Sequence, residues 1–314
     1  MKRKRTKLKG ETLNALSTAR PNSKAITWEE TVNKFTDYLR ITEHSRHTID
    51  TYSKTLAQIQ RDLAKLDRQP HMLATITESD IEALIRHYLD ERRLKASTIN
   101  QRLRTLSTLY EFAIKKKYVT ANIVKKVGYL KERHTVPDVL SADDLQTVLN
   151  SIDPAESFNA LTDYALVMLL AETGVRITEA CALTVENVDL TKRVLTVSYA
   201  KNRQPRLIPL SKRLEPVLRL YLSERGVLET SALLVNGFSE PMTRRNCQAR
   251  IAVLAEKSGV RITAHMCRRY FATSRLQKGV DVWTVAKLMG HSDLQSLKRY
   301  LSTDEDTLRK GVDL

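Results

Sequence analysis

The sequence predicts a mainly α-helical protein of two domains, the second carrying a small antiparallel β-sheet. Three observations predict it. Apolar residues recur at helical spacing from Trp28 to Ile114, with no strand pattern among them. A proline-containing stretch of mixed charge, "KERHTVPDVL" (131–140), breaks that pattern. One later segment, "RVLTVSYAKNRQPRLIPL", alternates apolar and polar residues on either side of a polar turn, as a β-hairpin does.

Residues 1–24 come first and hold six Lys or Arg among their first ten positions. This basic arm reads equally as a solvated tail or as a flexible DNA clamp or localising arm. Residues 25–130 form a helical domain. Trp28, Val32, Phe35 and Leu39 share one helix face, and Ile49, Tyr52, Leu56, Ile59 and Leu63 share another. "TESDIEALIRHYL" starts a third helix with Thr77 or Ser79 as cap. Ile99, Leu103, Leu106, Tyr110 and Ile114 stripe a fourth. Residues 131–140 read as a linker, and 141–314 as the second domain. Its first helix starts at Ser141, with Asp144 at the capping-box position. A strongly apolar helix, "LTDYALVMLLAETG", ends at Gly174, a C-cap. A short helix from Arg176 and the hairpin follow, and helices resume at "LEPVLRLYLSER" and run to the end.

Composition narrows the partners. Lys and Arg number 52 against 36 Asp and Glu, a net charge of +16 and a pI near 9.8. A polyanion is the expected partner, and nucleic acid rather than membrane, because no apolar run reaches the roughly eighteen residues of a spanning helix. The basic N-terminus has no apolar stretch behind it, so no secretory signal is expected and the location is read as cytoplasmic. Cys181, Cys247 and Cys267 are too few and too scattered for a disulfide framework or a zinc site. The chain has no GxxxxGK[ST] loop, GxGxxG, HExxH or GxSxG motif, so neither metal nor cofactor is expected.

From 95 to 130 the chain holds Lys95, Arg102, Arg104, Lys115, Lys116, Lys117, Lys125 and Lys126 against one acid, Glu111. A run so free of acids reads as phosphate-facing. Arg102, Arg104 and Lys115–Lys117 are therefore expected to contact nucleic-acid phosphates, and composition alone does not separate DNA from RNA.

Phosphate-binding side chains also recur through the second domain. "TGVRITEA" sets Glu179 three residues after Arg176, close enough on a helix to orient the guanidinium, though a surface ion pair has the same spacing. "AHMCRRYFAT" sets His265 and Arg268 on one helical face. Lys201 lies at the tip of the hairpin, and His291 follows Gly290, nine positions before Tyr300.

Taken together these positions resemble the tyrosine recombinase (phage integrase) family, over the chain after residue 24. "ETGVRITEACALTVENVDL" is similar to the box with the first arginine and its acidic partner. "AKNRQPRLIPL" is similar to the lysine turn, with Lys201 and Arg206 five residues apart; Arg206 is counted as DNA-binding. "HMCRRYFAT" resembles the His-x-x-Arg box, and "KLMGHSDLQSLKRY" the Gly-His…Tyr box. The sequence departs from the family pattern at Arg269, where a second histidine is usual, at Leu297 and at Asn202.

The resemblance implies a SAM-like core-binding domain, an integrase-type catalytic domain, and six catalytic residues: Arg176, Lys201, His265, Arg268, His291 and Tyr300. It implies Tyr300 as nucleophile, His265 as base and Lys201 as general acid. The implied partners are double-stranded DNA with paired inverted core sites, further copies in a homotetramer, and in some systems accessory DNA-bending proteins. Integration or excision of a mobile element is the expected role. Dimer resolution of the Xer type and a type IB-like topoisomerase are the alternatives, and a non-enzymatic regulator on a decayed integrase fold is a further rival. The tail after Tyr300 reads equally as a docking segment or a frayed end.

A protein that neutralises many phosphates releases as many counterions on binding. Affinity for duplex DNA should therefore fall by about three orders of magnitude or more between roughly 50 mM and 200 mM salt, read by fluorescence anisotropy. A flat titration would refute the phosphate-facing reading.

Overall fold

The computed structural model describes residues 26–67, 72–132, 138–198 and 205–290. The chain divides into two compact units between residues 135 and 136. The observed class is the expected one, mostly helical with one small sheet.

In the first unit α1 spans Trp28–Ile41, α2 Arg46–Lys65, α3 Glu78–Arg86, α4 Ala96–Lys115 and α5 Ile123–Val127. Thr27 and Glu30 close a capping box on α1, and Thr77 and Asp80 close one on α3. Each such cap is worth about 1 kcal/mol, because it satisfies amide groups that the first turn leaves unpaired. Trp28, Phe35, Leu56, Ile59, Leu103 and Leu106 are buried in one core. The helix expected through Leu89 instead ends at Arg86, and His87–Glu91 form a π turn. The wider turn accompanies a fully buried Tyr88, with the Arg102 guanidinium 4.6 Å above its ring.

In the second unit α6 spans Ala142–Asn150, α7 Phe158–Thr173, α8 Ile177–Ala182, α9 Leu214–Arg225, α10 Arg244–Ser258, α11 Ala264–Gln277 and α12 Val282–Met289. Helix α7 is the axis of this unit. From Leu161 to Thr173 every residue but Tyr164 is buried, because α9, α10 and α11 all pack on it. Its two buried acids are paired, Asp163 with Arg250 of α10 and Glu172 with Arg275 of α11, as charges removed from water must be.

The sheet has three antiparallel strands in the order β1 (Val188–Asp189), β2 (Val194–Val197), β3 (Arg206–Pro209). The expected hairpin is β2–β3, with Leu195 opposite Ile208 and Val197 opposite Arg206. Strand β1 was not expected; two residues are too short for alternation to register. The expectation that helices run on from Leu214 to the end fails between α9 and α10, where the chain is not helical. It makes two isolated bridges, Thr184 to Ala232 and Val235 to Pro241.

The 131–140 stretch is partly folded into its neighbours. Glu132 accepts from Asn100 and Arg104, Leu140 is buried in the second core, and Asp138 pairs with Arg261. Residues 133–137 lie outside the described residues.

Gly174 ends α7 with φ of 63°, in the left-handed region. A Cβ there would stand 2.5 Å from the Phe271 ring. Gly174→Ala combines left-handed strain with overpacking and should destabilise the protein by about 2–4 kcal/mol in urea unfolding. A loss under about 0.5 kcal/mol would contradict this account of the turn.

Candidate active site

Arg176 is the N-cap of α8, two positions past the Gly174 turn. Its backbone N–H donates to Glu179 Oε2 at 2.7 Å, and its Nη1 donates to Oε1 at 3.0 Å. Glu179 thus caps the helix and holds the guanidinium with one carboxylate. The Glu179 side chain is fully buried, while that of Arg176 remains 31% exposed.

Arg206, the first residue of β3, reaches the same carboxylate. Its Nη1 donates to Oε1 at 3.2 Å and its Nη2 to Oε2 at 2.7 Å. Each carboxylate oxygen therefore takes one hydrogen bond from each arginine. Burial pushes the Glu179 carboxyl up. The bonds from Arg206 and the Arg176 amide, with both guanidinium charges, outweigh burial and hold it below the usual glutamate value.

Arg268, in the second turn of α11, is buried. Its Nη1 donates to the carbonyl of Gly174, and its Nη2 donates to that of Met289 at 2.8 Å. Gly174 closes α7 and Met289 is the last residue of α12, so the cation sits where two helix dipoles point their negative ends. His265, one turn earlier on α11, is exposed. Lys201, His291 and Tyr300 lie outside the described residues.

The structure thus brings Arg176, Glu179, Arg206 and Arg268 to one place. Two guanidiniums share the Glu179 carboxylate, and that of Arg268 binds the Gly174 carbonyl two residues before Arg176; three cations to one acid is a surplus suited to an anionic ligand. Among the described residues no His, Cys, Asp and Glu group could hold a metal ion, and no helix is long and apolar enough to cross a membrane. Arg269 points elsewhere, its Nη1 donating to the Asp138 carbonyl at 3.3 Å.

Two residues grouped as DNA-facing turn inward. Arg206 is one: its side chain is only 12% exposed and its fork is filled by Glu179. Strand alternation carried the signal. Arg206 lies opposite Val197 on the face that buries Leu195 and Ile208, so it had to find an anion inside. The other is Arg102, which pairs at 3.4 Å with Asp62, a buried acid that also takes Arg92 at 3.1 Å. Arg104 keeps an exposed side chain beside Glu132 and Tyr129, and Lys115, Lys116 and Lys117 are exposed.

Two units, the second a helical body with a three-stranded sheet and a guanidinium cluster, define the class of integrase-like proteins. The chain belongs to the phage integrase family: the model described as "Phage integrase family" matches residues 138–306, more than half of its length. "Phage integrase, N-terminal SAM-like domain" matches 32–117. It is 29% identical to tyrosine recombinase XerC of Bacillus subtilis (strain 168), across 88% of this chain and 93% of that protein. A crystal structure of a lambda integrase dimer bound to a COC′ core site is similar in fold, at TM-score 0.73, 19% identity, 94% of this chain and 81% of that one. The Tn1549 transposon integrase bound to transposon right-end DNA gives TM-score 0.72 at 20% identity, covering 92% and 99%.

Glu179→Gln keeps the shape and removes the charge that two arginines share. It should cost about 3 kcal/mol at neutral pH. The native carboxyl is more acidic than the unfolded one, so its contribution is complete above the unfolded value of about 4.3 and is lost as pH falls through the native value. The gap between wild type and variant in urea unfolding should therefore be constant near neutrality and shrink below about pH 4.5. A gap that does not change with pH would contradict the buried ion pair.

Proposed function

We propose that this chain is a tyrosine-type site-specific recombinase that breaks and rejoins DNA through a 3′-phosphotyrosyl bond on Tyr300. The observation that carries the reading is the meeting of Arg176 and Arg268, from distant segments, around the Gly174 turn.

A phosphodiester resists attack because its oxygens are anionic and its leaving alkoxide is poor. Arg176 and Arg268 supply permanently charged forks for the nonbridging oxygens. Donors held in place beforehand need no reorganisation as charge develops, and each is worth about 10²–10³ in rate. His265 and His291 add hydrogen bonds to the same oxygens. Tyr300 attacks phosphorus in line. Its ordinary pKa is about 10, so the phenol proton leaves during attack, with His265 as base. Lys201 protonates the departing 5′ oxygen. The phosphotyrosyl bond conserves the energy of the broken one, and a 5′ hydroxyl from a second duplex reverses the step without ATP.

Two protomers occupy the inverted halves of a core site, and two paired sites make a tetramer, with accessory DNA-bending proteins as optional members. The work is done in the cytoplasm, on nucleoid DNA. The role is integration or excision of a mobile element, supported by the basic arm 1–24. Dimer resolution is the second reading, supported by the likeness to XerC along nearly all of that protein. Mapping covalent attachment in host DNA separates them: element ends for the first, a site outside any element for the second.

A nicked duplex spanning a mapped site should trap wild type as a covalent adduct on the 3′ phosphate. Tyr300→Phe should trap none while binding DNA within about twofold of wild type. Full strand exchange by that variant would refute the nucleophile. Relaxation of supercoiled plasmid without site preference, and no recombination of paired sites, would favour the topoisomerase.

A further inference from the structure

We propose that Arg206 is a positioning residue of the cleavage reaction, acting through Glu179 and the end of α12. The proposal rests on the function proposed above and adds a residue to its machinery.

Arg206 enters from the sheet, which supplies neither Arg176 nor Arg268. Its Nη1 and Nη2 grip the carboxylate that fixes Arg176, and its Nε donates to the Leu288 carbonyl at 2.8 Å. One planar group therefore ties α8 to the C-terminus of α12. Gly290, the cap of α12, has φ of 64°, and a Cβ there would stand 2.8 Å from Arg206 Nη1. The guanidinium is thus packed against the backbone from which the chain passes directly into His291. Five residues before Arg206 the same chain carries Lys201.

The clasp needs a fork and a third donor in fixed geometry. Lysine keeps the charge but offers one nitrogen on a flexible stem, which cannot bridge both carboxylate oxygens and a carbonyl together. Without Arg206, Glu179 is left with Arg176 alone, and the guanidinium and the α12 turn lose their common anchor. A displacement of about 1 Å at a reacting centre costs about 10²-fold in rate.

The test compares wild type, Arg206→Lys and Arg206→Gln in two assays. The first is the salt dependence of binding to a fluorescein-labelled duplex of random sequence. The second is single-turnover adduct formation on the nicked duplex at saturating protein. Rate constant and amplitude are recorded separately, and thermal melts report folding. In both variants the salt slope should stay at its wild-type value while the rate constant falls about 10²-fold, lysine giving no rescue. A purely structural role would lower the amplitude and the melting temperature and leave the rate constant of the folded fraction unchanged, which overturns the proposal. A slope about one unit smaller in Arg206→Gln, restored by lysine, makes Arg206 a phosphate contact and also overturns it. If Arg206→Gln does not fold, Arg206→Lys decides by the same criteria. Wild type that forms no adduct removes the recombinase reading instead. The salt slope then still separates an internal clasp, with the slope unchanged, from a phosphate contact, with the slope reduced.

Discussion

A single buried carboxylate organises the catalytic unit. Glu179 has no exposed side-chain surface, and its two oxygens take bonds from Arg176 and Arg206, which arrive from a helix start and a strand start. A lone carboxylate in that position would be strongly disfavoured, and so would two guanidiniums with nothing between them. The three charges are stable only as a group. The requirement draws the sheet, α8 and the end of α12 to one point. Arg268 joins them through neutral carbonyls, those of Gly174 and Met289.

That difference sorts the arginines by task. Arg206 has its donors filled by protein acceptors and is nearly covered; Arg176 shares the carboxylate yet stays partly open to solvent. Of these two, Arg176 is the one whose side chain keeps a solvent-facing side. Arg102 repeats the pattern in the first unit, where a buried Asp62 draws it inward and Lys115–Lys117 stay on the surface.

Much of this was legible in the sequence, because the signals were local. Helical periodicity, the Thr77 and Ser141 caps and the Gly174 stop each act within a few residues, and the structure has them. The β2–β3 hairpin was read from its alternation. What escaped was whatever depends on contact between distant segments. A basic run looks the same whether its arginines face a phosphate or a buried acid, and Asp62 lies 40 residues from Arg102. Arg206 was the nearer miss, since its place on the core face of β3 was implied by the same alternation that revealed the strand. Strand β1 and the bridges around Ala232 and Val235 were too brief to leave a pattern.

Helix α7 has almost no solvent face, and the turn that ends it accepts Arg268 and leads into Arg176. Nearly every side chain along its length is therefore constrained by neighbours on all sides. Sequence drift has little freedom there, whereas the exposed lysines at the end of α4 can change without disturbing either core. A protein built this way holds the turn between Arg268 and Arg176 fixed while its periphery stays free to vary.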